Sequence, residues 1–389
     1  MEGYEASDHL HIARGLEGVI AAATRIAEVD GERGKLTLCG YDIHELVGNI
    51  DFEEAAYLLW HGKLPDEKEY KTMRREMSDA RKLPEVALEA LRIISPHTSG
   101  MHLLRMGAAM LSLDDPDIDN LDIDASRKRA ARLTAKLPAL IAHSWRLHNG
   151  DDIIEPKPEQ GLAEGFLYML EGREPEKARV DGLNAYLVAV SEHGMPASSF
   201  TGRVIISTNS DMVSALTGAI CALKGNKHGG VPGPVLDMLE AIGTVDKVED
   251  YIRQEMADGR RIMGFGHRIY RVRDPRAEVL SEAAEKLAKI KNDSRLLELI
   301  KGVEDTTVRI LAELKPGRDL YANVELYAAL ILHEVGIPPD LFTPTFAIGR
   351  TAGWTAHLLE QLEDNRLIRP NSLYIGPRHQ EWEPIESRS

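Results

Sequence analysis

The spacing of apolar and polar positions changes early in the chain and then settles into one pattern. Residues 19–38 hold two apolar runs on either side of Asp30–Gly34, and this predicts a small β-hairpin with a polar turn. Beyond it the spacing is helical nearly throughout. Asp51 with Glu54 three residues later predicts a capping box that opens a helix, and Gly62 ahead of Pro65 predicts its end. Residues 182–193 and 211–224 are apolar on most faces, so both are expected to be buried helices. The second carries Ser214, Ala215, Gly218, Ala219 and Ala222, small residues that let another helix approach closely, within one chain or across a dimer. A further helix is expected from about Pro344 to Asp364, with Thr343 as N-cap and Pro344 at the first helical position. Gly349 and Gly353 in it signal tight packing. Arg350 lies between them, a cation that is costly to bury unless a structural carboxylate or a bound anion meets it.

Composition narrows the class. Aromatic residues are 5% of a chain rich in Ala, Leu and Glu, which favours helices over sheets. At 389 residues there is room for one large domain or two, and no repeat or low-complexity tract divides them. Cys39 and Cys221 are too few for a disulfide framework and lack metal-ligand spacing, so an intracellular, cytoplasmic location and no metal are expected. Met1–His11 contains two Glu, one Asp and no basic residue, which argues against a signal peptide. No apolar run approaches the length of a membrane span, and Ala215–Leu223 is short and interrupted. A net charge of −15 argues against a general nucleic-acid partner. One segment runs against that background: Arg260–Arg276 has six arginines and a single acid, Asp274, and reads either as an anion site or as a solvated basic face. Asp114–Asp124 has the acidity of a calcium loop, but counting from Asp115 the sixth position is Asn120 and the twelfth Ser126, so the ligand pattern fails and a solvated acidic loop is expected.

Three histidines stand beside glycines, where missing side-chain bulk lets a ligand meet the backbone. They are His193 in Ser191-Glu-His-Gly194, His228 in Gly225-Asn-Lys-His-Gly-Gly230, and His267 in Gly264-Phe-Gly-His267. The stretch Gly264-Phe-Gly-His-Arg-Ile-Tyr-Arg-Val-Arg-Asp-Pro-Arg276 resembles the signature of the citrate synthase family. In the same order as in that family follow Asn323-Val-Glu-Leu-Tyr327, Leu341-Phe-Thr-Pro-Thr-Phe346 running to Arg350-Thr-Ala-Gly-Trp354, and Asn365-Arg-Leu-Ile-Arg-Pro370. Gly15-Leu-Glu-Gly18 and Phe52-Glu-Glu-Ala-Ala56 are also similar, so the likeness spans nearly the whole chain.

The resemblance implies a mostly α, two-domain helical fold with a small N-terminal β-hairpin. Residues 1–228 and 335–389 would form the large domain, and 229–334 a smaller one that closes over the substrates. It implies an acyltransferase that condenses acetyl-CoA with oxaloacetate, with the CoA thioester as co-substrate and no tightly bound cofactor. In roles carried over from the family, Arg276, Arg350 and Arg369 bind the oxaloacetate carboxylates, with Arg369 reaching in from the second chain of a homodimer. His193 is a further oxaloacetate contact, His267 polarises the ketone, and His228 stabilises the enol of the thioester. Arg271 and the backbone of Gly264, Phe265 and Gly266 serve CoA. The family typically shows Asn-Val-Asp-Phe-Tyr where this chain has Glu325, so Glu325 is the expected base, one methylene longer. Alternatives are a 2-methylcitrate synthase using propionyl-CoA, and an idle relative that binds citrate or CoA as a sensor.

Overall fold

The computed structural model describes residues 12–228, 232–314, 317 and 320–388. Met1–His11, and Gly229 and Gly230 of the His228 motif, lie outside the described residues. The architecture is helical, with one small antiparallel sheet in the order β1 (Ala27–Asp30), β2 (Lys35–Leu38), β3 (Tyr41–Asp42). The predicted turn is present: Asp30 pairs with Lys35, and Asp30 Oδ1 accepts from the backbone of Glu32 and Arg33. The hairpin begins at Ala27, however, because residues 19–24 run as irregular chain along a cleft instead of pairing.

Local signals set most helix ends. Helix α1 (Phe52–His61) opens with the Asp51–Glu54 capping box and stops at Gly62, which adopts φ 70°. Helix α2 (Ile123–His148) is capped by Asp122. Helix α3 (Lys177–Val190) starts before the expected 182 and ends short of 193. Gly194 takes φ 70° and Pro196 cannot continue a helix, so Ser191–Pro196 becomes the turn that carries His193. Helices α4 (Ala197–Ile206) and α5 (Met212–Leu223, capped by Asp211) form the close pair that the small residues implied, within one chain. A Cβ on Gly218 would lie 2.1 Å from Ile205 Cδ1.

Helix α6 (Pro275–Lys291) and helix α7 (Val324–Glu334) pack on each other, and helix α8 (Phe342–Glu363) runs through the core against α1, α2, α3, α4 and α5. Helix α8 does not use Thr343 as N-cap. A 3-10 turn, Pro339–Leu341, leads directly into it, so Thr343 and Pro344 fall inside the first turn, where a missing N–H leaves no gap in the ladder. The acidic loop is not simply solvated: Arg129, almost fully buried, binds Asp115 Oδ2 at 2.6 Å and the Asn120 carbonyl at 3.0 Å.

The hairpin tip braces the segment after His267. Arg271 N–H donates to Gly31 O at 2.9 Å, and a Cβ on Gly31 would sit 2.3 Å from Ile269 O. The obstacle is backbone, which cannot swing aside. Gly31→Ala is therefore expected to lower the unfolding free energy by about 1–3 kcal/mol in denaturant titration. Gly233→Ala, in a helix with nothing within 4 Å of the added Cβ, is expected to cost nothing.

Candidate active site

A cleft of about 940 Å³ brings together most of the residues expected from sequence: His193, His228, His267, Arg276, Glu325 and Arg350 all line it, with the irregular Gly15–Ala22 segment along one side. Most arrive at or near the end of an element. His193 lies in the turn after α3, His228 two turns past α5, and His267 in a loop held by short backbone bonds. Arg276 and Glu325 occupy the first turns of α6 and α7, and Arg350 sits inside α8.

Hydrogen bonds fix the imidazole tautomers. His267 Nδ1 accepts from the N–H groups of Ile269 (3.0 Å) and Tyr270 (3.1 Å), so its proton is on Nε2. His228 Nε2 accepts from Ser198 N–H at 3.2 Å, one of the unpaired donors at the start of α4, and its proton is on Nδ1. Ser198 Oγ lies 2.7 Å from the same nitrogen and accepts from Trp354 Nε1 at 2.9 Å, which turns the hydroxyl proton toward His228. His193 Nε2 meets the Tyr270 hydroxyl at 3.1 Å, and its ring stands edge-on to His267.

Burial, and then the charges in the cleft, lower the proton affinity of these rings. Burial and then Arg276 push His267 down to about 4, against Asp274. Burial, Arg276, Arg350 and His267 hold His193 well below the ordinary histidine value. His228 is lowered by burial and by Arg350. Glu325 moves the other way: burial raises its carboxyl to about 7, opposed by Arg276 and reinforced by Asp274.

The two buried arginines differ in their partners. Arg276 binds Asp274 through Nε (3.0 Å) and Nη2 (2.7 Å). Arg350 donates Nε to the Val190 carbonyl at 2.7 Å and stacks over Phe346 at 4.8 Å. Among the described residues it has no carboxylate within ion-pair distance, and its Nη2 is buried without a partner. Burial pulls it down to about 10, which leaves it protonated at neutral pH. Of the two partners foreseen for it, a structural carboxylate or a bound anion, no carboxylate bonds to it among the described residues, although Glu192 is near enough to oppose the effect of burial.

Other expected residues stand elsewhere. Gly264, Phe265 and Gly266 pair with Tyr321–Asn323, through Asn323 N–H to Gly264 O and Gly266 N–H to Tyr321 O, both 2.9 Å. Arg271 is exposed, and Arg369 is exposed on the irregular segment beyond α8. Of the six arginines between 260 and 276, Arg260, Arg273 and Arg276 are ion-paired, while Arg261, Arg268 and Arg271 are exposed with no ion pair among the described residues. Sequence reasoning missed Asp274, Ser198, Tyr270 and Asn323. Asp274-Pro275 and Asn323 were readable as helix starts, whereas Ser198 and Tyr270 meet their histidines only through the fold.

The family model described as citrate synthase, C-terminal domain, matches residues 15–371. The chain is 40% identical to citrate synthase 2 of Bacillus subtilis over 97% of its own length and 99% of the relative's. It is 39% identical to the citrate/2-methylcitrate synthase of the same organism, over 95% and 98%. A solved structure of the citrate synthase of Thermoplasma acidophilum, in ternary complex with carboxymethyl coenzyme A and oxaloacetate, superposes with a TM-score of 0.89 at 30% identity, covering 97% of this chain and all of that one. Sequence likeness along nearly the whole length and the same helical fold lead to one conclusion: the chain belongs to the citrate synthase family of acyltransferases.

Proposed function

We propose that this cleft condenses acetyl-CoA with oxaloacetate and releases citrate and CoA. The observation that carries the reading is the pair of neutral imidazoles, each with one nitrogen occupied as acceptor, beside a carboxyl whose affinity for protons is close to neutral. Arg276 and Arg350 would hold the two carboxylates of oxaloacetate, with His193 as a further contact. Glu325 removes a proton from the acetyl methyl group, while His228 Nδ1–H donates to the thioester oxygen and stabilises the enol. The methyl carbon then bonds to the ketone carbon. His267 Nε2–H donates to the ketone oxygen as it becomes an alkoxide and then a hydroxyl. Water cleaves the thioester of the resulting citryl-CoA.

A neutral His267 keeps the Nε2–H that this role needs, because its Nδ1 is occupied as an acceptor. Arg271 and the Gly264–Gly266 backbone are assigned to CoA, and residues 229–334 to a smaller domain that closes once oxaloacetate is bound, which would keep water from the thioester. Arg369 is assigned to the partner's cleft in a homodimer, and the enzyme to the cytoplasm; among the described residues no helix is long and apolar enough to cross a membrane. Propionyl-CoA is a second acyl donor to consider, since a relative at 39% identity carries both activities in its name. One methylene discriminates by only about 1–3 kcal/mol, so the ratio of kcat/KM for the two thioesters decides the preference.

Glu325 must be ionised to act. Its raised value means that kcat/KM for acetyl-CoA should fall as pH drops through about 7, approaching tenfold per pH unit below it. A profile flat down to pH 5 would remove Glu325 from this role. Glu325→Gln should cut exchange of the acetyl methyl protons by about 100- to 10,000-fold, while oxaloacetate affinity stays near that of the parent. For the shared site, Arg369→Ala and His267→Ala chains, each inactive alone, should regain activity when mixed as hybrid dimers. No recovery in a verified hybrid would confine Arg369 to its own chain.

A further inference from the structure

Helix α8 presents Arg350, Gly353 and His357 on one face, at spacings of three and four residues. The carboxylate of Glu192, fully buried in the turn after α3, lies across that face. Its place is made by Gly353, where a Cβ would stand 2.2 Å from Glu192 Oε2 and 2.4 Å from Ser191 O. Glu192 thus sits with Arg350 toward the start of the helix and His357 toward the end. It bonds to one of them only. His357 Nε2 lies 3.1 Å from Glu192 Oε1 and 2.8 Å from Gly194 O. Glu192 Oε2 and Arg350 Nη2 are both buried without a partner among the described residues, and the two groups make no ion pair within 4.0 Å.

Two opposite charges left open in a water-poor interior attract each other strongly, so something must keep them apart. His357 has the fixed tautomer to do it. Its Nδ1 accepts from Arg203 Nε at 3.0 Å and Nη2 at 2.9 Å, which leaves the proton on Nε2. Arg203 is itself anchored by Glu360 and by Gln361 Oε1 at 3.2 Å, so the imidazole cannot turn over without losing these bonds.

We propose that His357 is a positioning residue for the carboxylate site: its Nε2–H holds Glu192 away from Arg350 and so keeps that guanidinium open for a carboxylate of the substrate. This rests on the reading of Arg350 as an oxaloacetate ligand. It accounts for a buried, incompletely bonded glutamate beside a buried, incompletely bonded arginine, and for a glycine at 353. It also ties the turn bearing His193 to α8, through Gly194 O.

The test uses His357→Asn, whose amide oxygen can take the bonds from Arg203 but whose side chain is too short to reach Glu192. Released, Glu192 pairs with Arg350, and calorimetric titration with oxaloacetate alone should show binding weakened roughly tenfold or more, in proportion to the fraction of Arg350 captured. KM for oxaloacetate should rise in step, with a smaller change in kcat. Adding Glu192→Gln to the same chain should restore affinity, because an uncharged amide does not capture the guanidinium. Glu192→Gln alone should bind oxaloacetate at least as tightly as the parent, and it tests the idea even where His357→Asn fails to fold. Parental affinity in folded His357→Asn, a double variant as weak as His357→Asn, or weakened binding in Glu192→Gln overturns the proposal. Arg350→Gln separates the two layers: if it binds oxaloacetate like the parent, the assignment of Arg350 has failed, whereas its loss of binding combined with any of those three results leaves that assignment standing and removes only the role of His357.

Discussion

Two guanidinium groups buried in one cleft are the constraint around which the rest of the site is arranged. Arg276 and Arg350 are almost wholly removed from water, and a buried cation persists only when something offsets its lost hydration. Arg276 is offset within the protein by the two bonds it donates to Asp274. Arg350 has a carbonyl, an aromatic face and the field of Glu192, but no ion pair among the described residues. The combined positive field then acts on every titratable neighbour. It contributes to the lowered proton affinity of all three histidines, and it opposes the upward push of burial on Glu325. The neutral imidazoles thus follow from burial first and from the two guanidinium charges second.

Helix N-termini do much of the positioning. Asp274 caps α6 by accepting from Arg276 N–H at 2.9 Å, and its other oxygen accepts from Val324 N–H, at the start of α7, at 3.3 Å. One buried carboxylate therefore links the first turns that carry Arg276 and Glu325. Asn323 caps α7 through Glu325 N–H at 3.0 Å, and its amide donates to Gly266 O at 2.9 Å, one residue before His267. At α4 the unpaired N–H of Ser198 is used to hold His228. In each case a backbone group that the helix geometry leaves open is used to orient a side chain at the cleft. The same Asn323 cap places Glu325 in the first turn of α7, with its N–H bonded to Asn323 Oδ1.

Much of this was present in the sequence. The Asp51–Glu54 capping box, the Asp30–Gly34 turn and the small residues facing Ile205 in the α4–α5 pair are local patterns, and each formed where its residues indicated, because caps and turns depend on neighbours a few positions away. The three histidines, Glu325 and two of the arginines were also marked, by glycine contexts and by ordered likeness to a family. Boundaries shifted where a neighbouring turn or the course of the cleft took over. Residues 19–24 follow the cleft instead of joining the hairpin, α3 ends at Val190, and α8 begins at Phe342, two residues before its expected first residue, Pro344.

What the sequence determined by itself was the helical class, the main turns and the residue types the chemistry requires, since periodicity, caps and composition are short-range properties of the chain. Only the tertiary structure decided protonation, pairing and exposure. Ser198 and His228 are 30 residues apart, Glu192 and His357 are 165 apart, and neither pairing leaves a periodic trace. The same holds for the arginines between 260 and 276: the run looked uniformly available, yet acids from distant helices, such as Glu304 at Arg273, neutralise some of them, and burial singles out Arg276. The values of His267 and Glu325 depend on the loss of water and on charges brought close by folding, and neither exists until the helices have packed.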